Sequence, residues 1–294
     1  MKSGFVSLVG RPNVGKSTLI NSIIGKKIAI TSNKGGTTRN NIKGIYNDDE
    51  TQIVFVDTPG IHKPKEKLGK YLNRKAYFVV DDVDIVGFLV DASAPLGKGD
   101  KFVIQKFNEL DKPVFLILNK IDNISKDELL KKIDEYKDLY PFAEIIPVSA
   151  LKKDNIERFI EVVKGYLPDT IKYYEDDTTT SSSDSFIMAE TIREKIMRTT
   201  EQEIPYAVTC VVESYKVKKD LLSITALIIV DRQNIKKMIL GKQGSKIKDI
   251  GIKARVDLEK YFEKRVFLEL FVKVVPKWRS KEKYLAEFGI KEID

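Results

Sequence analysis

The chain has 294 residues, 42% of them hydrophobic and 32% charged, with a formal net charge of +8 and one cysteine. That length exceeds what a single core usually serves and points to two domains, and the composition is that of a folded, heavily ionised protein rather than a disordered or fibrous one. No apolar run approaches the roughly 18 residues of a spanning helix, and the start MKSGFVSLVG has no signal-peptide pattern. Cys210, among Val208, Val211 and Val212, reads as a buried strand thiol, so the expectation is a cytoplasmic protein without disulfides.

From residue 1 to about 168, the runs FVSLV, IVFVD, DIVGFLVD, PVFLILN and AEIIPVS alternate with amphipathic helical stretches. This is the order of a parallel α/β sheet. NIKGIYN and TQIVFV are joined only by DDE, too little for a helical crossover, so these two strands should pair antiparallel at the sheet edge. After FVSLV, Gly10-Arg11-Pro12-Asn13-Val14-Gly15-Lys16-Ser17 fits G-x-x-x-x-G-K-[ST] and opens the helix STLINSII. In that setting backbone N–H groups and the helix start cradle phosphates, Lys16 neutralises them and Ser17 offers a hydroxyl to magnesium.

Asp57-Thr58-Pro59-Gly60 ends IVFV, placing a carboxylate for magnesium and a glycine amide near the terminal phosphate. Asn119-Lys120-Ile121-Asp122 ends VFLILN, and Ser149-Ala150-Leu151 ends EIIPV. A carboxylate such as Asp122 accepts from both the N1–H and the exocyclic amine of guanine, whereas adenine leaves it desolvated and unpaired. The base is therefore expected to be guanine.

The helix pattern NIERFIEVVKGYL stops before Pro168, and EDDTTTSSSDS, residues 175–185, is acidic, Ser/Thr-rich and aperiodic, the composition of a linker. Beyond it come a helix from about Ile187 to Glu201, the strands AVTCVVES and LLSITALIIVD, the helices QNIKKMIL and SKIKDIGIKARVDLEKYF, and the strand VFLELFVKV. The order is α-β-β-α-α-β, with a last amphipathic stretch around Lys281 to Phe288 as its cap. The two central helices meet at Gly241-Lys242-Gln243-Gly244, followed by Lys246 and Lys248. From Arg232 to Lys283 there are 16 Lys and Arg against 6 Asp and Glu, a net of +10 that exceeds the charge of the whole chain and suits a nucleic-acid backbone. Ile247 and Ile250 line a groove for bases or, at helical spacing with Val256, belong to the core.

With GRPNVGKST, DTPGIH, NKID and this terminal G-x-x-G domain in order, the chain resembles the translational GTPases and, more closely, the bacterial Era family. The resemblance implies a P-loop GTPase sheet with one antiparallel edge strand over residues 1–169, a linker at 170–186, and an α+β type-2 KH domain with a C-terminal helix over 187–294. It implies GTP hydrolysis to GDP, with nucleotide contacts from Gly10 through Ser17, Asp57 through Ile61, Asn119 through Asp122, and Ser149 with Ala150. Mg2+ is expected at Ser17, Asp57 and Thr38, the second of the Thr37–Thr38 pair, and the catalytic set is Lys16, Thr38, Asp57, Gly60 and Asn13. Ile61 stands where many small GTPases have a water-orienting glutamine; related GTPases with such a substitution use K+ held partly by the P-loop asparagine, here Asn13.

His62, the only histidine, reads as a base or as a solvent-facing residue, and Gly35-Gly36 in place of the more usual proline-glutamine implies a looser switch segment. For the second domain the resemblance implies that Gly241, Lys242, Gln243, Gly244, Lys246 and Lys248 contact the 3′ end of small-subunit ribosomal RNA. The process implied is maturation of that subunit, by a monomer, with peripheral membrane contact through the basic face. Two other readings are an RNA-binding assembly factor with a vestigial nucleotide fold, against which the complete motifs argue, and a tRNA-modification GTPase. The latter would need a C-terminal catalytic cysteine segment, whereas the chain ends KEID.

Overall fold

The computed structural model describes residues 1–34, 36–61, 67–201 and 204–290. Contacts divide the chain into two compact units, one of Met1–Ala29, Thr38–Pro64 and Gly69–Ser181, the other of Ser182–Asp294 with Ile30–Thr37 and Lys65–Leu68. His62 and Gly35 lie outside the described residues.

The first unit runs β1 (Lys2–Val9), α1 (Lys16–Ile24), β2 (Ile42–Asn47), β3 (Thr51–Asp57), α2 (Lys67–Asp81), β4 (Ile85–Asp91), α3 (Lys98–Gln105), β5 (Val114–Asn119), α4 (Lys126–Lys137), β6 (Glu144–Val148) and α5 (Ile156–Tyr166). Its sheet has the order β2-β3-β1-β4-β5-β6. Only β2 is antiparallel, opposite β3 from Ile42↔Asp57 to Asn47↔Gln52, as the short DDE connection requires. Every residue of β3 and β5 is buried, because helices cover both faces of a parallel sheet, which is why these strands read as unbroken apolar runs. Phe55, Phe88 and Phe115 are fully buried, each contributing about 2–3 kcal/mol of burial against the entropy of ordering it. The motif residues follow the carboxyl ends of β1, β3, β5 and β6, the end at which open α/β sheets bind ligands.

The stretch expected to be a linker at 170–186 is, for most of its length, hydrogen-bonded to this unit. Thr170 N–H donates to Met1 O at 3.1 Å, Tyr173 and Tyr174 N–H donate to Oε1 of the fully buried Gln52 at 2.8 and 3.0 Å, and Ile45 N–H donates to Thr179 O at 3.0 Å. Thr180 bridges to Gly44 and donates its hydroxyl to Lys43 O at 2.8 Å. These are non-local bonds to a strand edge, which neither composition nor periodicity records.

The second unit runs α6 (Asp184–Thr199), β7 (Val208–Lys218), β8 (Leu221–Val230), α7 (Gln233–Leu240), α8 (Ser245–Phe262), β9 (Arg265–Val274) and α9 (Glu282–Glu287), in the expected α-β-β-α-α-β order. Helix α6 starts a few residues before the expected Ile187, where Ser183 Oγ accepts the Phe186 N–H and caps it. The sheet order is β7-β8-β9, with β8 antiparallel to β7 and parallel to β9. Alternate residues of β8 and β9 face a core shared with α6 and α8, formed by Ile192, Ile196, Ile228 and Leu258. Ile250 is fully buried in that core, which decides its open reading, while Val256 is 55% exposed. Cys210 is buried in β7, as expected. Trp278 is fully buried beneath α9 and donates its indole N–H to Ala207 O at 3.2 Å, anchoring the C-terminal cap.

Charged residues of α6 are buried, although on a helix they read as a solvated face. Arg193 pairs with Glu190 at 2.6 Å and also donates to Thr37 O, and Glu194 accepts the Thr31 N–H at 3.0 Å. Lys34 Nζ donates to Met197 O and Thr200 O, two carbonyls at the α6 C-terminus that have no intrahelical donor. The segment Ile30–Thr37 is held in this unit by those bonds. Among the described residues no helix is long and apolar enough to cross a membrane.

Candidate functional site

The loop from Gly10 to Lys16 connects β1 to α1 without an acidic residue, so the loop itself carries no charge that repels an anion from the helix start. Asn13 and Gly15 take left-handed conformations, φ 67° and 104°, as a loop must when it turns its N–H groups inward. Lys16, buried, folds back to donate to Gly10 O at 3.3 Å and Arg11 O at 3.1 Å. Burial lowers its ammonium pKa to about 8, against the pull of Asp57 in the other direction.

Next to it the structure brings together Ser17, Thr38 and Asp57. Ser17 Oγ donates to Asp57 Oδ2 at 2.5 Å, Thr38 Oγ1 donates to the same oxygen at 3.0 Å, and the two hydroxyls are 3.1 Å apart. Asp57 is fully buried; burial pushes its carboxyl pKa up, and Lys16, Ser17 and Thr38 oppose the shift. Its Oδ1 has no hydrogen-bond partner, although it is buried. Hard oxygen donors with an orphaned carboxylate oxygen fit a magnesium ion, which prefers oxygen ligands and completes its shell with water and phosphate. Thr37, the other half of the pair, donates to Lys34 O at 2.7 Å and lies in the second unit. Thr58 is buried and donates to Leu8 O at 2.8 Å, so it supports the turn that follows β3. Gly60 comes close to the Pro12 backbone, and Ile61, 2% exposed, donates its N–H to Gly10 O at 3.2 Å and packs with Val9 and Phe88.

At the ends of β5 and β6 the contacts are mutual. Asn119 Nδ2 donates to Val14 O at 2.8 Å and its Oδ1 accepts the Ala150 N–H at 3.0 Å, so one buried amide ties the P-loop to the turn after β6. Lys120 Nζ donates to Asn13 O at 2.9 Å and pairs with Asp91 at 2.5 Å. Burial acts to raise the Asp91 carboxyl pKa, but hydrogen bonds from Lys120 and Ser93 outweigh it and hold it low. Ser149 Oγ accepts the Lys152 N–H at 3.1 Å and donates its own proton to Asp122 Oδ1 at 2.5 Å, aiming that carboxylate. The role of Asn119 as a tie between loops and the position of Asp91 under Lys120 were not evident in the motifs, because both depend on strands distant in sequence.

In the second unit Gly241 and Gly244 have φ 72° and 76°. A Cβ on Gly241 would also stand 2.7 Å from Lys246 Cβ, so this position excludes other residues twice over. Gln243 between them is itself left-handed, φ 52°, and it and Lys242 are exposed, as is Lys248. Beside this loop, α8 and β9 frame a groove of about 380 Å³ lined by Ile247, Gly251, Ile252, Leu268 and Leu270, with Arg255 among them. Ile247 therefore lines the groove and Ile250 does not. Ile252, Arg255 and Phe267, also in the lining, are not singled out by the motifs; the i, i+4 series 247-251-255 points to Arg255, whereas Ile252 and Phe267 follow from packing alone.

Two family models match the chain, the 50S ribosome-binding GTPase family over residues 5–120 and the KH domain over residues 203–279. Among solved structures, a point variant of Aquifex aeolicus Era bound to GDP and AlF4− is 39% identical, covering 99% of each chain, with a TM-score of 0.95. Era in complex with MgGDPNP and nucleotides 1506–1542 of 16S ribosomal RNA matches with the same identity, coverage and TM-score. With identity of this order over essentially its full length, a six-stranded GTPase sheet and a three-stranded KH sheet, the chain belongs to the Era family.

Proposed function

We propose that this protein is a GTPase switch that hydrolyses GTP to GDP and phosphate and contacts the 3′ end of 16S ribosomal RNA in maturation of the small ribosomal subunit. The observation that carries the reading is the meeting of four strand-end motifs, with Asn119 bridging Val14 and Ala150 and with Asp57 joined to Ser17 and Thr38. The two relatives support its halves, one holding GDP with AlF4− and the other MgGDPNP with 16S RNA nucleotides. Nucleotide work is assigned to the first unit and RNA contact to Gly241, Lys242, Gln243, Gly244, Lys246 and Lys248 of the second. Ser17, Thr38 and Asp57 would hold Mg2+, which when bound neutralises charge on the phosphate oxygens. Lys16 neutralises the phosphates from within the loop, Gly60 gives its amide to the terminal phosphate, and Asp122 reads the guanine edge. The proposal includes a cytoplasmic monomer, and the net +10 of the late segment extends it to peripheral contact with an anionic membrane face.

Ile61 is buried and apolar, so it orients no water, and the charge that builds on the transferring phosphoryl group needs another counter-charge. Asn13, exposed at the turn of the P-loop, is proposed to help hold K+ for that purpose. Phosphate release from GTP, and not from ATP, is expected, at a rate several-fold higher in K+ than in Na+. Equal rates in the two salts remove the K+ site; binding without turnover in either removes the enzyme and leaves an RNA-binding assembly factor.

The low pKa of Lys16 gives a second test. In the free protein the group is held to about 8 by desolvation, and a bound polyphosphate restores its charged form. Binding therefore takes up a proton above that pH, and affinity for GDP, full below about pH 8, should fall as pH rises to about 9, by up to tenfold per unit. Fluorescent-nucleotide titrations across that window check it, and a flat profile shows that Lys16 stays charged in the free protein.

A further inference from the structure

The second residue of the P-loop makes a contact that phosphate binding does not require. The Arg11 side chain lies against Gly99 and then Gly97 at the start of α3: a Cβ at Gly97 would stand 2.7 Å from Arg11 Nη1, and one at Gly99 would stand 2.8 Å from Cδ and 3.2 Å from Cγ. Its Nε lies 2.8 Å from Oδ1 of Asp100, whose side chain is fully buried. The other oxygen of Asp100 accepts the Gly97 N–H at 2.9 Å. Tyr136 of α4, 1% exposed, is near enough that burial and then the Asp100 charge push its phenol pKa up.

A cap for α3 needs Asp100 alone. The ion pair adds a desolvation cost that a buried pair seldom recovers in stability. Gly99, within α3, adds a further cost of roughly 0.5–1 kcal/mol relative to alanine in a helix. Both costs admit one guanidinium, and what that guanidinium fixes is the start of the Pro12–Asn13 turn. The rest of the turn is pinned from two other sides: a Cβ on Gly60 would stand 2.8 Å from Pro12 N, and Lys120 Nζ holds Asn13 O at 2.9 Å. Asn13 itself is left-handed, a conformation that persists in a non-glycine residue only when its surroundings over-determine it.

We infer that Arg11, seated on Asp100 against Gly97 and Gly99, is a positioning residue for hydrolysis, holding the Pro12–Asn13 turn in register with the transferring phosphoryl group. The inference rests on the GTPase reading. Gly97, Gly99 and Asp100 are not among the residues assigned to phosphate, metal or base, and Asn119 and Lys120 hold Val14 O and Asn13 O independently of them, so the effect falls on turnover rather than on nucleotide affinity.

The informative substitution is Gly99→Ala. Its backbone is outside the left-handed region and inside a helix, so alanine suits the helix, while its methyl group displaces Arg11. Gly99→Ala and Asp100→Asn should each lower kcat by about five- to tenfold, the scale of a small misplacement beside the reacting atoms, with KM for GTP and Kd for GDP within about twofold of wild type. Displacing Arg11 leaves the buried Asp100 without its partner, so Gly99→Ala should melt below wild type, and combining it with Arg11→Ala should cost no kcat beyond Arg11→Ala alone, since the two act on one contact. Wild-type kcat in Gly99→Ala and Asp100→Asn overturns the inference, as does a loss confined to KM or a double variant whose kcat falls further than that of Arg11→Ala alone. Wild-type protein that fails to release phosphate in the same assay fails the GTPase reading instead.

Discussion

Replacing Asp122 by asparagine should convert the guanine site into a xanthine site. In the native protein Ser149 Oγ accepts from Lys152 N–H, so its own proton is committed to Asp122 Oδ1, leaving the other carboxylate oxygen to face a base edge. An asparagine side chain keeps the bond from Ser149 only by presenting its carbonyl oxygen to that hydroxyl, which turns the amide NH2 outward. That NH2 then meets the exocyclic amine of guanine donor to donor, whereas xanthine offers a C2 carbonyl in the same place. A site built on hydrogen bonds rejects a mismatched partner strongly, so GTP affinity should fall by roughly a hundredfold or more while xanthosine triphosphate gains by a similar factor. Competition binding of the two triphosphates reads the outcome directly. An unchanged preference for GTP takes Asp122 out of base recognition, whatever the geometry of Ser149.

Lys242→Asp combined with Gln243→Asp should weaken RNA binding severely while leaving basal GTP turnover near wild type. Both side chains are exposed on a turn set by Gly241 and Gly244, so no core contact is lost, and aspartate tolerates the left-handed conformation that Gln243 occupies. The loop exchanges one positive charge for two negative ones where a KH domain meets the phosphates of about four nucleotides. Binding of a 16S 3′-end oligonucleotide should weaken by about two orders of magnitude at moderate salt, and any RNA-stimulated part of GTP hydrolysis should disappear with it. Losing Lys242 alone should flatten the slope of log affinity against log salt by up to about one unit, the share of one phosphate contact. Wild-type RNA affinity in the double variant would demote Gly241–Gly244 to a helix connection and move the RNA to another surface.

What was legible in the chain was what is written locally. The P-loop, Asp57–Gly60, Asn119–Asp122 and Gly241–Gly244 are short motifs placed by strand and helix patterns on either side, and the antiparallel β2 followed from a connection too short for anything else. The misses share a different cause. Ile247 and Ile250 have the same chemistry three residues apart, and only the packing of α8 on β8 and β9 sends one to the groove and the other to the core. Residues 175–180 look like a linker by composition, yet their carbonyls and the Thr180 hydroxyl find partners on β2, more than 120 residues back along the chain. Buried Arg193 and Glu194, and Asp100 below Arg11, are charges whose partners come from distant segments, and a helical wheel has no means of distinguishing them from a wet face.

That covered edge has a consequence for how the molecule behaves in company. An open sheet ends in two rows of unsatisfied amides and carbonyls, each a template on which another chain can add a strand. Here residues 179–180 occupy the outer side of β2, and at the opposite end β6 is only five residues long and contains Pro147, which has no N–H to offer a neighbour. One end of the six-stranded sheet is thus occupied by the chain's own continuation, while the other is short and lacks one N–H. A shortened first unit ending at residue 169 would keep every nucleotide motif and still lose that protection, leaving β2 bare to self-association; one ending at residue 181 would keep it.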